Sequence, residues 1–168
     1  MIPLSRVLLV LLAWAWTAGL AAQALDELSV SDLSALDRQY MQYQRQQLND
    51  LAARHYGRQF TGDKDRDLAL LQRLLDEGKV RGDQTEQLQA MGIILGDLLA
   101  ADLGLHWVVY EDKAGRSRAL RYRETDNYLF PATMISRRRE VGSTTPVAEI
   151  YRKAQETIRA AAPPLPFQ

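Results

Sequence analysis

Residues 88–110 read LQAMGIILGDLLAADLGLHWVVY, and a change of periodicity inside this stretch decides the fold class. Up to Leu103 the apolar residues recur at helical spacing, and Gly104 is well placed to end that helix. In residues 105–110 β-branched and aromatic residues follow one another, which favours a strand. The stretch therefore predicts a helix over 83–103 that leads directly into a strand, as in an α+β domain.

Two further strands are predicted to follow. Residues 111–115 form a hairpin turn, because Gly115 can adopt the left-handed conformation that such a turn needs. The return strand covers residues 118–123. A second turn over 124–127 leads into a third strand over 128–130. We therefore expect a three-stranded antiparallel β-meander.

Two amphipathic helices are predicted before the quoted stretch. The first is capped by Ser31 or Asp32 and ends near Gly57. The second covers about 63–78 and has acidic residues in its first turn, which suits the positive end of a helix dipole. Residues 25–31 are predicted to be a short, loosely held lead-in.

The chain after the meander is predicted to be helical again. Residues 132–140 form a short helix or a wound loop, and residues 146–161 form a last helix with an apolar stripe. The predicted fold class is α+β, with three helices before and one or two after, packed on a small three-stranded antiparallel β-meander. Residues 25–162 are expected to form a single domain, followed by a proline-rich tail over 163–168.

Gly92 and Gly96 lie four residues apart on the predicted helix over 83–103. Each costs about 1 kcal/mol of helix stability relative to alanine, so both need a reason. A missing side chain lets another segment approach closely, and we favour this packing explanation over a ligand site.

The first 24 residues have the layout of a secretory signal peptide. Arg6 gives a positive start, residues 7–16 are apolar, and residues 22–24 (Ala-Gln-Ala) form a small-x-small cleavage site. We expect cleavage near Ala24, export to the periplasm and a mature chain of about 144 residues. The apolar core is shorter than the roughly 20 residues that cross a bilayer. A retained membrane anchor and a buried core helix are the alternatives.

Composition narrows the classes of partner. Cysteine is absent, so we expect neither a lipid anchor nor disulfides, although an exported compartment would permit the latter. Cleavage removes Arg6 and no acidic residue, which leaves 20 basic and 21 acidic residues in the mature chain. Proteins that bind nucleic acid usually carry a strongly basic surface, so no nucleic acid partner is predicted.

Several short segments of the chain resemble one bacterial family. They are Leu95-Gly96, residues 107–112 (WVVYED), and residues 130–136 (FPATMIS) followed by Arg138 and Glu140. They are similar to those of a family of unknown function whose members are small, often exported and share a helix–hairpin–"FPxxMISKR" core. Arg137 stands where that phrase has lysine, which keeps the charge. The resemblance implies an α+β domain and no particular reaction.

Residues that could carry catalysis are sparse. The two histidines, His55 and His106, do not have metal-ligand spacing, and no nucleophile elbow is present. We predict no metal and no cofactor. The acidic residues Glu111, Asp112 and Asp126 could gather at one end of the hairpins as a carboxylate pair for hydrolysis. The simpler interpretation is ordinary turn chemistry, since Asp favours such positions.

Arginines near the meander are the best functional candidates. Arginine offers a planar fork of donors that suits carboxylates and phosphates. His106 and Tyr110 alternate with Trp107, so they are expected on the sheet face opposite to it. Together they define a predicted binding face of His106, Tyr110, Arg121, Arg123, Arg137, Arg138 and Arg139, with Arg116 and Arg118 on the same strand. Alternatively, the arginines pair locally with Glu111, Asp112, Glu124, Asp126 and Glu140.

The leading hypothesis is a non-enzymatic, exported binding or interaction protein, with a protein or an envelope polymer as its partner. After cleavage we expect no stable membrane anchor. An inhibitor or immunity-type protein is a special case of this hypothesis. The alternative is a hydrolase of the cell envelope that uses carboxylates near the hairpin turns.

Overall fold

A computed structural model of the protein describes residues 28–161, so the predicted signal peptide and the proline-rich tail lie outside the described residues. Four strands form one antiparallel sheet in the order β1-β2-β3-β4. They are β1 (Ser29–Asp32), β2 (Leu105–Asp112), β3 (Gly115–Tyr122) and β4 (Tyr128–Leu129). Each strand pairs with the next, and the last three form the predicted meander.

Helices precede and follow this meander. Before it come α1 (Ala35–Tyr56), α2 (Lys64–Asp76) and α3 (Thr85–Leu103), and after it come α4 (Pro131–Met134), α5 (Ser136–Glu140) and α6 (Val147–Ala161). The predicted α+β class is therefore confirmed. The predicted number of helices after the sheet is too low. One or two were predicted, and two short helices and one long helix follow the sheet.

The start of the described chain also corrects the sequence-based prediction. Residues 29–32 are not a loose lead-in, because they pair with β2 as a fourth strand in which Val30 lies opposite Tyr110. The N-cap of α1 is Ser34 and neither Ser31 nor Asp32. The Ser34 hydroxyl accepts from the backbone N–H of Asp37, whose carboxylate accepts from the backbone N–H of Ser34, as in a capping box. This strand has four residues and one apolar residue, Val30, which is too short a pattern to predict a strand.

The centre of the molecule is α3, which is buried on all sides between Ala90 and Gly96. Its two glycines serve close packing, as predicted. A Cβ atom on Gly92 would lie 2.4 Å from the Pro131 carbonyl oxygen. A Cβ atom on Gly96 would lie 2.4 Å from the Trp107 ring. Both contacts are shorter than van der Waals distance, so only glycine lets α4 and β2 lie this close to α3.

Trp107 points from the sheet towards α3, where its ring lies against Gly96, and His106 lies on the opposite face, as expected from their alternation. The Trp107 indole N–H donates to Asp97 Oδ1 at 3.0 Å. The guanidinium of Arg45 reaches the same carboxylate through two hydrogen bonds of 2.6 and 2.8 Å. Asp97 on α3 therefore ties α1 to β2, and each of its oxygens has a partner.

The last helix is fixed to α3 by a buried phenol. Tyr151 is 3% exposed, and its hydroxyl donates to Asp102 Oδ2 at 2.9 Å and approaches the Leu98 carbonyl oxygen at 3.3 Å. Burial, reinforced by the Asp102 carboxylate, raises the pKa of Tyr151 above its usual range. Because the hydroxyl stays protonated, it remains a donor throughout the ordinary pH range.

Tyr151→Phe should lower the free energy of unfolding by about 2 kcal/mol, the usual size of a hydrogen bond to a charged group. Urea denaturation followed by far-UV circular dichroism measures this loss. Tyr43→Phe is the matched control, because Tyr43 is exposed and its hydroxyl has no partner among the described residues. Equal stability of the two variants would contradict the structural role of the Tyr151 hydroxyl.

Candidate functional site

One edge of β3 remains unpaired over half of its length. Alternate residues of an antiparallel strand direct their N–H and C=O groups to the same edge. The Tyr122 N–H donates to the Asn127 carbonyl at 3.0 Å, so the backbone groups of Tyr122 face the edge of β3 that lies towards β4. By this alternation the N–H and C=O groups of Arg118 and Arg116 face the same side as those of Tyr122. In the β3–β4 register the residue opposite Arg118 would be Pro131.

Pro131 explains why the pairing stops. Proline has no N–H to donate to a strand, and here it begins α4, so the chain leaves the sheet after Leu129. No residue in the described part of the chain pairs with the backbone groups of Arg116 and Arg118 on this side. The backbone groups of Arg116 and Arg118 therefore form an unpaired edge, and a gap separates this edge from α4.

The side chains of these two arginines are held on α1. Arg116 donates through Nη1 and Nη2 to the Asp37 carboxylate at 3.0 and 2.6 Å, and Arg118 Nε donates to Asp37 Oδ1 at 3.0 Å. Asp37 is 2% exposed. Hydrogen bonds from Arg116, helped by those from Ser34, hold the pKa of the Asp37 carboxyl well below its usual range. The carboxylate thus remains charged and is surrounded by donors.

Aromatic rings lie beside this edge. The ring of Tyr110 meets Phe130 edge-on, with centroids 5.2 Å apart, and Tyr128 with centroids 5.0 Å apart. On the other side, the Arg118 guanidinium lies 4.2 Å from the centroid of the Tyr40 ring. Such contacts hold the rings in place, since each one adds to the energy of simple burial.

The gap itself is a cavity of about 390 Å³, which we call the β3-edge groove. Its size falls within the range of ligand-binding clefts. Three rings and three guanidinium groups are among the side chains that line it: Tyr40, Tyr110, Phe130, Arg116, Arg118 and Arg137. Ile93 of α3 and the α4 residues Ala132 and Thr133 also line it. Arg137 is exposed and has no hydrogen-bond or ion-pair partner among the described residues.

The predicted binding residues do not all lie at this groove. Tyr110 and Arg137 line it. The other five lie elsewhere, and two of them are held by local hydrogen bonds. Arg121 donates to the Thr125 carbonyl at 2.8 Å and to Glu124 at 2.9 Å. Arg138 donates to the Met134 carbonyl at 2.6 Å.

The remaining predicted residues have weak contacts. Arg123 adopts a left-handed backbone conformation with φ 50° in the turn after β3, and its guanidinium lies 5.1 Å from the Tyr122 ring centroid. His106 Nε2 lies 4.0 Å from a Glu124 carboxylate that is itself exposed. The Arg139 side chain has no partner in the described part of the chain, and its backbone packs against Gly82.

Glu111 and Asp112 lie far from Asp126, so the alternative in which these carboxylates gather is wrong and the simpler interpretation as turn residues fits the structure. Asp112 precedes β3 and Asp126 follows it, and eight residues at about 3.3 Å each separate the two turns by more than about 20 Å. A glycosidase pair needs carboxyl groups about 5–9.5 Å apart. Asp112 instead accepts from the Ala114 N–H at 2.8 Å, which is turn chemistry.

Asp37, Tyr40 and Phe130 were not predicted as site residues. Asp37 follows Ser34 by three positions, and this spacing signals a capping box that could have placed the carboxylate at a helix start. Its contact with Arg116 joins residues 79 positions apart in the chain. No local sequence pattern indicates a contact between residues so far apart in the chain.

A larger cavity, of about 710 Å³, lies beside the loop between α1 and α2. It is lined by Arg58, Arg66 and Arg73 but also by Asp65 and Asp67. Asp67 accepts from the backbone N–H groups of Thr61 and Gly62 and so shapes the loop. Because arginines and aspartates are mixed there and no aromatic side chain is among its lining residues, the β3-edge groove is the better candidate site.

Residues 28–161 contain no group of three or more His, Cys, Asp or Glu residues placed to hold a metal ion. No helix within the described range is both long and apolar enough to cross a membrane.

Comparison with known proteins places the chain in a family. None of the curated proteins compared with it matches significantly. A crystal structure from Bacteroides thetaiotaomicron VPI-5482 has a similar fold, with a TM-score of 0.69 at 18% sequence identity. The match covers 77% of this chain and 47% of that one, so this chain spans about half the length of that protein. Residues 67–151, half of the chain, match the family described as Domain of unknown function (DUF3806), and the protein belongs to that family.

Proposed function

We propose that the protein is an exported, non-enzymatic binding protein of the periplasm that recognises a partner through the β3-edge groove. The observation that carries the proposal is the meeting of three aromatic rings and three arginines at an unpaired strand edge. Tyrosine and arginine are enriched among the residues that dominate binding energy at protein interfaces. Of the two partner classes expected from the sequence, this composition favours a protein over an envelope polymer.

Export is proposed on the N-terminal leader, with cleavage near Ala24. We also propose that the phrase over residues 130–138, FPATMISRR, is the family's "FPxxMISKR" core. Residues of this phrase line the groove: Phe130, Ala132, Thr133 and Arg137. This placement at the groove supports a link between the phrase and binding.

Photo-cross-linking in the native host tests the proposal. Ser117 is exposed at the groove, and we would replace it with p-benzoylphenylalanine in the full chain. Irradiation of intact cells should give a discrete adduct between the processed chain and one protein. The mass of the processed chain should correspond to a start near Leu25.

The matched control places the same photo-reactive residue at Arg58, which is also exposed but lies outside the groove, at the larger cavity. We expect no such adduct there. A second control combines the Ser117 probe with Arg137→Glu, which should abolish the adduct. Equal adducts from Ser117 and Arg58, or no adduct from either, would contradict binding at the groove.

A further inference from the structure

We propose that the β3-edge groove binds an extended, acidic peptide segment of the partner by strand addition to β3. This inference rests on the proposed function and specifies the class of partner and the mode of contact. Strand addition uses backbone hydrogen bonds for affinity and side-chain pockets for specificity. Both elements are present at this edge.

The backbone contribution comes from Arg116 and Arg118. Their N–H and C=O groups face the unpaired side of β3, because Pro131 diverts the chain from the sheet before it reaches them. Two alternate residues supply two donors and two acceptors, which is the unit that a short added strand uses.

The edge lacks the protection that exposed edges usually have. Proteins commonly guard a free edge with charged side chains that hinder the approach of another strand. Here the charged side chains of Arg116 and Arg118 are bound to Asp37 on α1, and the Arg118 guanidinium also lies over the Tyr40 ring. Both guanidinium groups are therefore anchored on the α1 side of the groove and do not extend across the unpaired edge.

The groove also supplies contacts for side chains. Tyr110 and Phe130 offer an apolar surface at the edge, which suits an apolar residue of the added strand. Arg137 supplies an exposed cation whose charge no described residue neutralises. An acidic residue in the peptide would complement Arg137, since guanidinium and carboxylate pair through two parallel hydrogen bonds. Asp112 is the acid among the groove-lining residues, and its carboxylate also accepts from the Ala114 N–H. Asp112 and Asp37 together carry two negative charges against the three positive charges of Arg116, Arg118 and Arg137, so the groove keeps an excess of positive charge.

A library of random dodecapeptides displayed on phage tests the inference. The purified mature chain should enrich peptides that carry an acidic residue beside β-branched or aromatic residues. A synthetic peptide from the enriched set should bind Arg137→Glu about tenfold more weakly than the wild type. Arg58→Glu makes the same charge change outside the groove and should bind like the wild type.

Backbone amide exchange of the complex, followed by NMR, locates the contact. The amides of Arg116 and Arg118 should become protected when the peptide binds. Three results would overturn strand addition: no enriched peptide, enriched peptides that bind Arg137→Glu as tightly as wild type, or protection elsewhere. If such a result came with a specific adduct from Ser117, strand addition would fail while the proposed function stood.

Discussion

Asp37→Ala should lower the free energy of unfolding by about 3 kcal/mol, the low end of the cost of breaking a buried ion pair. The carboxylate is buried and accepts from Arg116, Arg118 and Ser34. Its loss leaves two guanidinium groups without a partner and removes part of the cap of α1. The arginine side chains are 43% and 27% exposed, so water recovers part of the loss.

The effect of Asp37→Ala should depend on pH in a defined direction. The pKa of Asp37 in the folded protein lies well below its unfolded value of about 3.9. The stabilisation is therefore complete above about pH 5 and is lost as the pH falls towards the folded pKa. Urea denaturation at a series of pH values should show the gap between variant and wild type narrowing below about pH 4.

Asp50→Ala is the matched control for this prediction. Asp50 lies on the same helix, is exposed, and its carboxylate has no partner in the described range. We expect Asp50→Ala to change the free energy of unfolding by no more than about 0.5 kcal/mol, as for most surface substitutions. A pH-independent gap for Asp37→Ala would mean that its carboxylate does not hold Arg116 and Arg118 as the structure places them.

Gly92→Ala should lower the free energy of unfolding by about 3 kcal/mol, even though alanine favours helices by about 1 kcal/mol. The added Cβ would lie 2.4 Å from the Pro131 carbonyl oxygen and 2.7 Å from Ala132 Cα. Both atoms belong to the backbone, which cannot rotate away as the end of a side chain does. Relief of the clash requires α4 to move from α3, and this movement displaces the wall of the β3-edge groove.

Gly82→Ala provides the control for this substitution. A Cβ at Gly82 meets no atom closer than 3.4 Å, and its φ is not in the left-handed region. The free energy of unfolding of Gly82→Ala should stay within about 1 kcal/mol of the wild-type value. Chemical denaturation compares the two variants, and similar midpoints would show that α4 does not pack on Gly92 as described.

The parts of the fold with local signals were predictable. Gly57 and Gly104 both end helices in the left-handed conformation, as their positions in the sequence indicated. The β2–β3 hairpin was predicted from the aromatic run and from Gly115. In contrast, β1 has four residues, of which Val30 is the apolar one, and it is stabilised by pairing with β2, so its own sequence is too short to predict a strand.

The candidate site was predicted only in part, for a related reason. Tyr110 and Arg137 were predicted as binding residues, and the structure places both at the groove. Arg121 and Arg138 carry the same side chain but are held by backbone carbonyls of their own turns. Whether an arginine is free or held depends on the backbone around it. The contribution of Asp37 depends on a contact between α1 and β3 that composition and spacing do not indicate.

Binding at the β3-edge groove is tested most directly by photo-cross-linking in cells from Ser117, with Arg58 as the reference position. The expected result is one protein adduct from Ser117 that disappears with Arg137→Glu and has no counterpart from Arg58. The contradicting result is an adduct that forms equally from both positions, or one from Ser117 that Arg137→Glu leaves unchanged.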